Sequence, residues 1–551
     1  MAEDQLTVRE IEAARIFEQG KENTLRSGKP LPIVFVPGVM GSRMRLVAHN
    51  ELWDPDSKKN LIGWSMRSAE RAAELLSVRT GMAEVLSDPI AWDKDLEKIW
   101  RAVDPNGDPG FYGRQRGWGG VSQGYYYAIL KALEVAFNSG AYAPGEHPVY
   151  AFGYDWRRTV SNGATLLARR IRHVLDKHGV DKVVLVTHSM GGLVARYACA
   201  PAGCGVANLV KGVVHVVQPC NGAVVAYRRF VEGLGNEKAT GLEGKIFAGI
   251  LGGTWWGYTM IMSGTEGPLQ LMPNQVYEGW LTGPSGQVVP AAEIYGQYLD
   301  GGPRSVVPEL PVADLQTLLE EGFGDAPDAL ARASEARLIQ LDDEWNGRFP
   351  EFHEMRLRAD RARAARALGR WDAYRATLRS GVACAQALHR MLAGYAHPRT
   401  FMLYAAGMPT ETAYRWDLPP GRRAVPVAGG GDGTVPIVSA QGLDAGVSGQ
   451  WAGAGPPRLA LAEDVGAHEH STCFVPERQS TGGAADRGAA AVAVTSRRRR
   501  RRRRQAPGAA RVRPPASGDT RSPRRRDRDT RAWTGGARPW QPSRTPWSSP
   551  R

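Results

Sequence analysis

Val183-Val-Leu-Val-Thr-His-Ser-Met-Gly-Gly192 is the stretch on which the reading of this chain turns. A β-branched apolar run stops at a His-Ser dipeptide, and two glycines lead into a helical pattern, Leu193-Val-Ala-Arg-Tyr-Ala198. That is the layout of a nucleophile elbow, with Thr187 in place of the first glycine of G-x-S-x-G. The strand carries a serine into a tight turn, and small residues follow because neighbouring backbone passes close by. Free N–H groups at the start of the helix then face whatever Ser189 attacks. The competing reading is a glycine-rich helix start with an ordinary capping serine. A strand before, a helix after and apolar flanks on both sides favour the catalytic one.

A serine is a weak nucleophile at its free pKa, so a histidine has to take its proton and a carboxylate has to orient that histidine. In this arrangement the chain order is Ser, acid, His. Asp432 fits the acid: it sits in a glycine-rich loop, Ala428-Gly-Gly-Gly-Asp-Gly-Thr-Val-Pro436, after the short apolar stretch Ala424–Val427. Beyond Asp432 the sequence holds two histidines, His468 and His470, both in Gly466-Ala-His-Glu-His-Ser-Thr-Cys-Phe474, so two bases compete for one role. The oxyanion site calls for the N–H of the residue after the nucleophile, Met190, and a second donor from a loop after an early strand. Ile33–Val36 reads as such a strand, and its following turn offers Gly38 or Val39.

With these residues in place, the chain resembles the lecithin:cholesterol acyltransferase family of α/β-hydrolases. The resemblance rests on six short motifs in order: Phe35-Val-Pro-Gly-Val-Met-Gly-Ser-Arg43, Leu52-Trp-Asp-Pro55, Phe152-Gly-Tyr-Asp-Trp-Arg157, Thr187–Gly192, Leu269-Gln-Leu-Met-Pro-Asn274 and Gly431-Asp-Gly-Thr-Val-Pro436. It covers about Leu31 to Gln479. It implies acyl transfer from a lipid ester, through an acyl-serine, to an alcohol or to water, with no cofactor. It also implies that the base stands a few residues before an aromatic, which favours His470, followed by Phe474, over His468. Family members continue into a closing amphipathic helix, and no such helix is legible after Gln479.

The formal charge of +14 over 551 residues is carried by one end of the chain. From Ser480 to Arg551 there are 20 arginines, eight of them consecutive at Arg497–Arg504, against four aspartates. This segment is +16, which leaves the preceding 479 residues at −2, so no partner follows from the charge of the body. The tail has no Leu, Ile, Phe, Tyr or Met to build a core and is expected to be disordered. Contact with nucleic acid or anionic lipid is one reading of it; a non-native C-terminus, like a shifted reading frame, is the favoured one. Five cysteines without paired spacing suggest reduced thiols, and no cluster suggests a metal. The first residues carry acidic groups and no apolar h-region, so the expected location is cytoplasmic, with room for a peripheral association with membrane.

Alternating strands and helices predict a mostly parallel sheet with helices on both faces. The expected strands are Ile33–Val36, Val149–Phe152, Lys182–Thr187 and Val210–Val217; the expected helices include Val8–Phe17, Tyr125–Phe137 and Gly163–His178. Residues 43–120 read as irregular structure around short helices. The separation of 243 positions from Ser189 to Asp432 exceeds what one or two strand-helix units need, so a large cap is expected there. Within it, residues 246–265 carry no charge, but five glycines and three threonines argue against a membrane span. Residues 309–345 and 351–395 read as helices, paired as a hairpin. The resulting division is an extension (1–30), a first core part (31–222), a cap (223–400), a second core part (401–479) and the arginine-rich tail (480–551). Two functions are open at this point. One is a serine acyltransferase or hydrolase acting on a phospholipid or other lipid ester at a membrane or micelle surface. The other is a catalytically idle scaffold that binds nucleic acid or anionic lipid through its tail.

Overall fold

The computed structural model describes residues 30–90, 93–106, 109–140, 142–234, 242–274, 276–283, 285–289, 355–392, 395–417, 423–442, 459–464, 469–470 and 473–474. His468, the helices expected at Val8–Phe17 and 309–345, and the arginine-rich tail lie outside these residues. Chain contacts divide the protein into Met1–Thr495 and Ser496–Arg551, and every described residue belongs to the first unit.

Six strands form the central sheet: β1 (Ile33–Val36), β2 (Val149–Ala151), β3 (Val183–His188), β4 (Val210–Val216), β5 (Thr400–Tyr404) and β6 (Leu459–Asp464). Their order is β6-β5-β4-β3-β1-β2, and every neighbouring pair is parallel. The chain runs outward from β1 to β2, then crosses back to β3 and continues the other way. The reversal leaves a crevice at the carboxyl ends of β1 and β3, where ligands collect in open sheets of this kind.

Side-chain alternation shows why both faces are covered. Ile33 and Phe35 of β1, with Val184 and Val186 of β3, pack into a cluster with Ile129, Leu130, Leu133 and Phe137 of helix α1 (Gln123–Asn138). Val34, Val36, Val183 and Leu185 point the other way, into a cluster with helices α2 (Val160–His178) and α3 (Met190–Cys199). On α2 the buried residues Val160, Ala164, Leu167, Ile171, Val174 and Leu175 recur at three- and four-residue spacing, which builds one apolar face. Thr159 caps its start by accepting the Asn162 N–H, and Gly179, at φ 60°, ends it in a left-handed turn. Each such Val or Leu contributes roughly 1.5–3 kcal/mol by leaving water.

Two stretches depart from the sequence expectation. Residues 43–120 hold a three-stranded antiparallel sheet (Met44–Leu46, Glu51–Trp53, Ala83–Val85) and four helices, Lys58–Ser65, Ala69–Leu76, Lys94–Val103 and Pro109–Arg116. Three-residue strands are too short to display a period. The glycines before Asp432 are not a loop: Gly429–Gly431 end a strand, Arg423–Gly431, paired antiparallel with Met408–Asp417. A Cβ on Gly431 would lie 2.4 Å from the Val435 carbonyl oxygen and 2.5 Å from Thr410 Oγ1, so close packing excludes a side chain there. This hairpin joins Leu281–Thr282 in a separate sheet, outside the central one. The uncharged stretch 246–265 lies across two helices, Leu242–Leu251 and Trp255–Ser263, and no helix among the described residues is long and apolar enough to cross a membrane.

The remaining motifs act as ties between these parts. Asp54 of Leu52–Pro55 takes two hydrogen bonds of 2.9 Å from Arg43. In Tyr154-Asp-Trp-Arg157, the Tyr154 hydroxyl donates to the Pro37 carbonyl at 3.1 Å, Trp156 packs edge-on to Trp53, and the buried Arg157 is gripped by Asp155. The Arg157 carbonyl in turn accepts the N–H groups of Glu266 and Gly267. Asn274 of Leu269–Asn274 bonds Asn221 through backbone and side chain, at 3.0 and 3.1 Å. The motif residues therefore tie the segments at Glu266–Gly267 and Asn274, and the loop after β1, to the carboxyl edge of the sheet.

Candidate active site

Ser189 follows β3 directly and has φ 51° and ψ −125°, backbone that L-residues avoid. Its conformation is held from both sides: its N–H donates to the Val216 carbonyl at 3.0 Å, and its carbonyl accepts the Gly192 N–H at 2.9 Å. Met40 (φ 63°) after β1 and Val217 (φ 46°) after β4 are also left-handed, so among the described residues three of the four such non-glycine residues sit at strand ends around this crevice. Strain of this kind concentrates at functional sites, at an order of 1–3 kcal/mol each.

His470, in the segment after β6, reaches Ser189 Oγ with its Nε2 at 2.8 Å and Asp432 Oδ2 with its Nδ1 at 2.8 Å. Its own N–H donates to the Asp432 carbonyl at 2.9 Å. Asp432 is 1% exposed, and its second carboxylate oxygen accepts the N–H groups of Thr434 and Val435 at 3.0 and 2.6 Å. With that oxygen so bonded, Oδ2 is left to face one histidine nitrogen. The three residues named from sequence order are therefore linked in series, Ser189 to His470 to Asp432.

The oxyanion candidates divide. The Gly38 N–H is already committed, donating to the Tyr126 hydroxyl at 3.1 Å, which corrects its place among the donors. The N–H groups of Val39 and Met190 have no hydrogen-bond partner among the described residues. Gly38 has a different role, because a Cβ there would lie 2.9 Å from both Ser189 Cβ and His188 Nδ1.

Gly191 shows why the elbow needs small residues. A Cβ on it would come within 2.5 Å of the carbonyl oxygens of both Val36 and Pro37. Backbone cannot yield as a flexible side chain does, so Gly191→Ala is expected to push away the loop that carries Val39. The expected result is a stability loss of about 1–3 kcal/mol by denaturant titration together with a loss of turnover. Wild-type values for both would contradict this contact.

Two residues next to the site escaped the sequence reading, Tyr126 and His188. His188 precedes the nucleophile inside the quoted elbow, and Tyr126 reads as one more apolar position of helix α1. Burial holds His188 neutral, its pKa lowered to about 3 by desolvation and then by the neighbouring His470. Desolvation likewise lowers His215 to about 3 and His389 to about 4. An unfolded histidine titrates near 6.5, so below that pH the unfolded chain binds protons that the folded one refuses. Stability is therefore full above about pH 6.5 and is lost as pH falls toward 4, by about 1.4 kcal/mol per pH unit for each such histidine. Urea midpoints measured from pH 7 to pH 5 should fall steeply, and less steeply in His215→Gln; a flat profile would contradict buried neutral rings.

Residues 120–242 match the lecithin:cholesterol acyltransferase family model. The matched segment contains helix α1, strands β2 to β4 and the elbow with Ser189, and stops short of Asp432 and His470. It supports a lipid-acting acyltransferase or hydrolase. Among solved structures, the chain is similar to one reported as the crystal structure of the Tle4–Tli4 complex, at 20% identity and TM-score 0.52, covering 85% of this chain and 98% of that one. A likeness at that identity is one of fold, and with the strand order above the fold is that of the α/β-hydrolases. The mature lipase BlEst2 of Bacillus licheniformis also aligns, at 9% identity and TM-score 0.26, over 82% of this chain and 88% of that one. A search of curated proteins returned no match.

Proposed function

We propose that this protein is a serine-dependent O-acyltransferase or acyl hydrolase acting on a phospholipid or another lipid ester. The observation that carries the reading is the pair of 2.8 Å contacts that link Ser189 to His470 and His470 to Asp432. His470 Nε2 takes the Ser189 proton as Oγ attacks the ester carbonyl, and Asp432 stabilises the imidazolium through Nδ1–H. The tetrahedral oxyanion faces the Val39 and Met190 N–H groups. His470 returns the proton to the departing alcohol, leaving an acyl-serine. Water or a second alcohol, deprotonated by the same histidine, then releases the acyl group.

Contact with a lipid surface is part of the proposal. Six of the eleven exposed large apolar side chains among the described residues, Val47, Leu52, Ile62, Met66, Met82 and Val85, fall between residues 47 and 85. They lie in or beside the small sheet Met44–Leu46, Glu51–Trp53 and Ala83–Val85 and the helix Lys58–Ser65, with Leu52 and Val85 on opposite faces of that sheet. A stretch of chain that carries this many exposed apolar groups suits an enzyme whose substrate lies in an aggregate.

The test is product analysis on a single labelled phospholipid, with and without an added long-chain alcohol. Release of a lysolipid with the acyl group on water or on the alcohol is the expected outcome. No acyl release from any of several lipid esters, with the chain folded, would overturn the proposal.

A further inference from the structure

We infer that Tyr126 and His188 form a positioning strut that ties the loop after β1 to the backbone of His470, an inference that rests on the proposed roles of Ser189 and His470. Three hydrogen bonds, each of 3.1 Å, run in series: Gly38 N–H to the Tyr126 oxygen, the Tyr126 hydroxyl with His188 Nδ1, and His188 Nε2 with the His470 carbonyl.

The chemistry of the groups fixes each direction. A carbonyl oxygen only accepts, so His188 Nε2 carries the proton. In the neutral ring Nδ1 is then an acceptor, and the Tyr126 hydroxyl donates to it. The phenol oxygen still has a lone pair for the Gly38 N–H. Desolvation raises the Tyr126 pKa well above its usual value, so this donor is kept at any working pH. No member of the chain has a choice of partner.

The strut is also dry. Tyr126 is 3% exposed and His188 5%. The Tyr126 ring lies 5.0 Å from Phe35, and the His188 ring lies 5.5 Å from both Tyr126 and Phe474. Two glycines make room for it: a Cβ on Gly41 would sit 2.6 Å from the Tyr126 hydroxyl, and one on Gly38 would sit 2.9 Å from His188 Nδ1. In such surroundings each polar bond is strong and each lost partner is costly.

What the strut holds is the catalytic geometry. His470 is pinned through its N–H by the Asp432 carbonyl and through its own carbonyl by His188. Only its ring is left to move protons. At the other end, Gly38 is held where the loop goes on to Val39, whose N–H is one of the two proposed oxyanion donors. The base and the oxyanion site are thereby kept in register across the face of Ser189. Neither Tyr126 nor His188 touches the reacting atoms.

The experiment uses the full chain and two readouts. One is the rate at which a fluorophosphonate labels Ser189; the other is kcat and KM on a soluble short-chain nitrophenyl ester. His188→Phe keeps a ring but removes both nitrogens, and Tyr126→Phe removes the donor to Nδ1. Each is expected to lower the labelling rate and kcat about 10- to 100-fold, as small misplacements of catalytic groups do, with KM changed less than about threefold. His188→Gln returns an N–H toward the His470 carbonyl and should recover most of the lost rate. The double variant should be no slower than His188→Phe, because both cut the same strut. Wild-type labelling in folded Tyr126→Phe or His188→Phe would overturn the inference, and so would losses that multiply in the double variant. If His188→Phe does not fold, Tyr126→Phe and His188→Gln decide the question. A wild-type chain that takes no label is a separate outcome, which removes the nucleophile assignment and the strut's role with it.

Discussion

Ser189→Ala is expected to lower ester turnover by at least about 10⁴-fold while leaving the fold intact. The size follows from the geometry. Ser189 Oγ faces His470 Nε2 at 2.8 Å, and alanine offers that base no proton to take. What remains is substrate binding and two backbone donors, which polarise an ester but do not cleave it. The fold should survive because the bonds that shape the elbow come from the backbone: the Ser189 N–H to Val216 and its carbonyl to Gly192. Alanine inherits the same strained φ of 51°. Glycine has no Cβ to strain, so Ser189→Gly should be equally inactive yet more stable than Ser189→Ala, by the order of 1 kcal/mol. Turnover of a nitrophenyl ester and a urea titration measure both effects. An active Ser189→Ala would end the enzymatic reading, whatever the position of His470.

Much of the fold was legible because the central strands are apolar runs and the helices beside them are long enough to show a period. Ile33–Val36 is matched residue for residue, and α2 ends at the glycine where the sequence places its end. The small sheet of residues 44–85 was not legible, since its strands are three residues long and one of its two pairings, Met44–Leu46 with Ala83–Val85, joins segments far apart in sequence. The glycines before Asp432 look like a flexible loop in sequence. They form a strand paired with Met408–Asp417, and the backbone of Val435 and the side chain of Thr410 leave no room for a Cβ at Gly431; crowding by residues elsewhere in the chain leaves no local pattern.

The site follows the same division. Ser189, Asp432 and His470 stand out because chain order and residue chemistry leave few choices. Tyr126 did not, because its ring serves the core and a helical period registers only that. The hydroxyl at the end of that ring takes the Gly38 N–H, which displaces Gly38 from the oxyanion site. A polar tip on a core residue was the available signal, together with a histidine ending a buried strand just before the nucleophile.

The second large effect concerns the base. His470→Ala is expected to cost about as much as loss of the nucleophile, since the two act as a unit: at least about 10⁴-fold in kcat. His468→Ala should stay within about threefold of wild type, the usual reach of a side chain outside the reacting unit. The argument lies in the two ring nitrogens of His470, each 2.8 Å from a different member of the site, so that a proton taken at Nε2 is balanced by charge at Nδ1. Removing the ring leaves the Asp432 carboxylate still bonded to the N–H groups of Thr434 and Val435, so the acid loop should remain folded. The backbone of residue 470 also keeps its bonds to the Asp432 carbonyl and to His188. His470→Ala thus leaves a ring-sized space beside Ser189, and added imidazole should restore part of the activity there while doing nothing for Ser189→Ala. Stopped assays of the three variants with and without imidazole separate the possibilities. If His468→Ala is dead and His470→Ala turns over at the wild-type rate, the base is His468 and the contacts of His470 are not the catalytic ones.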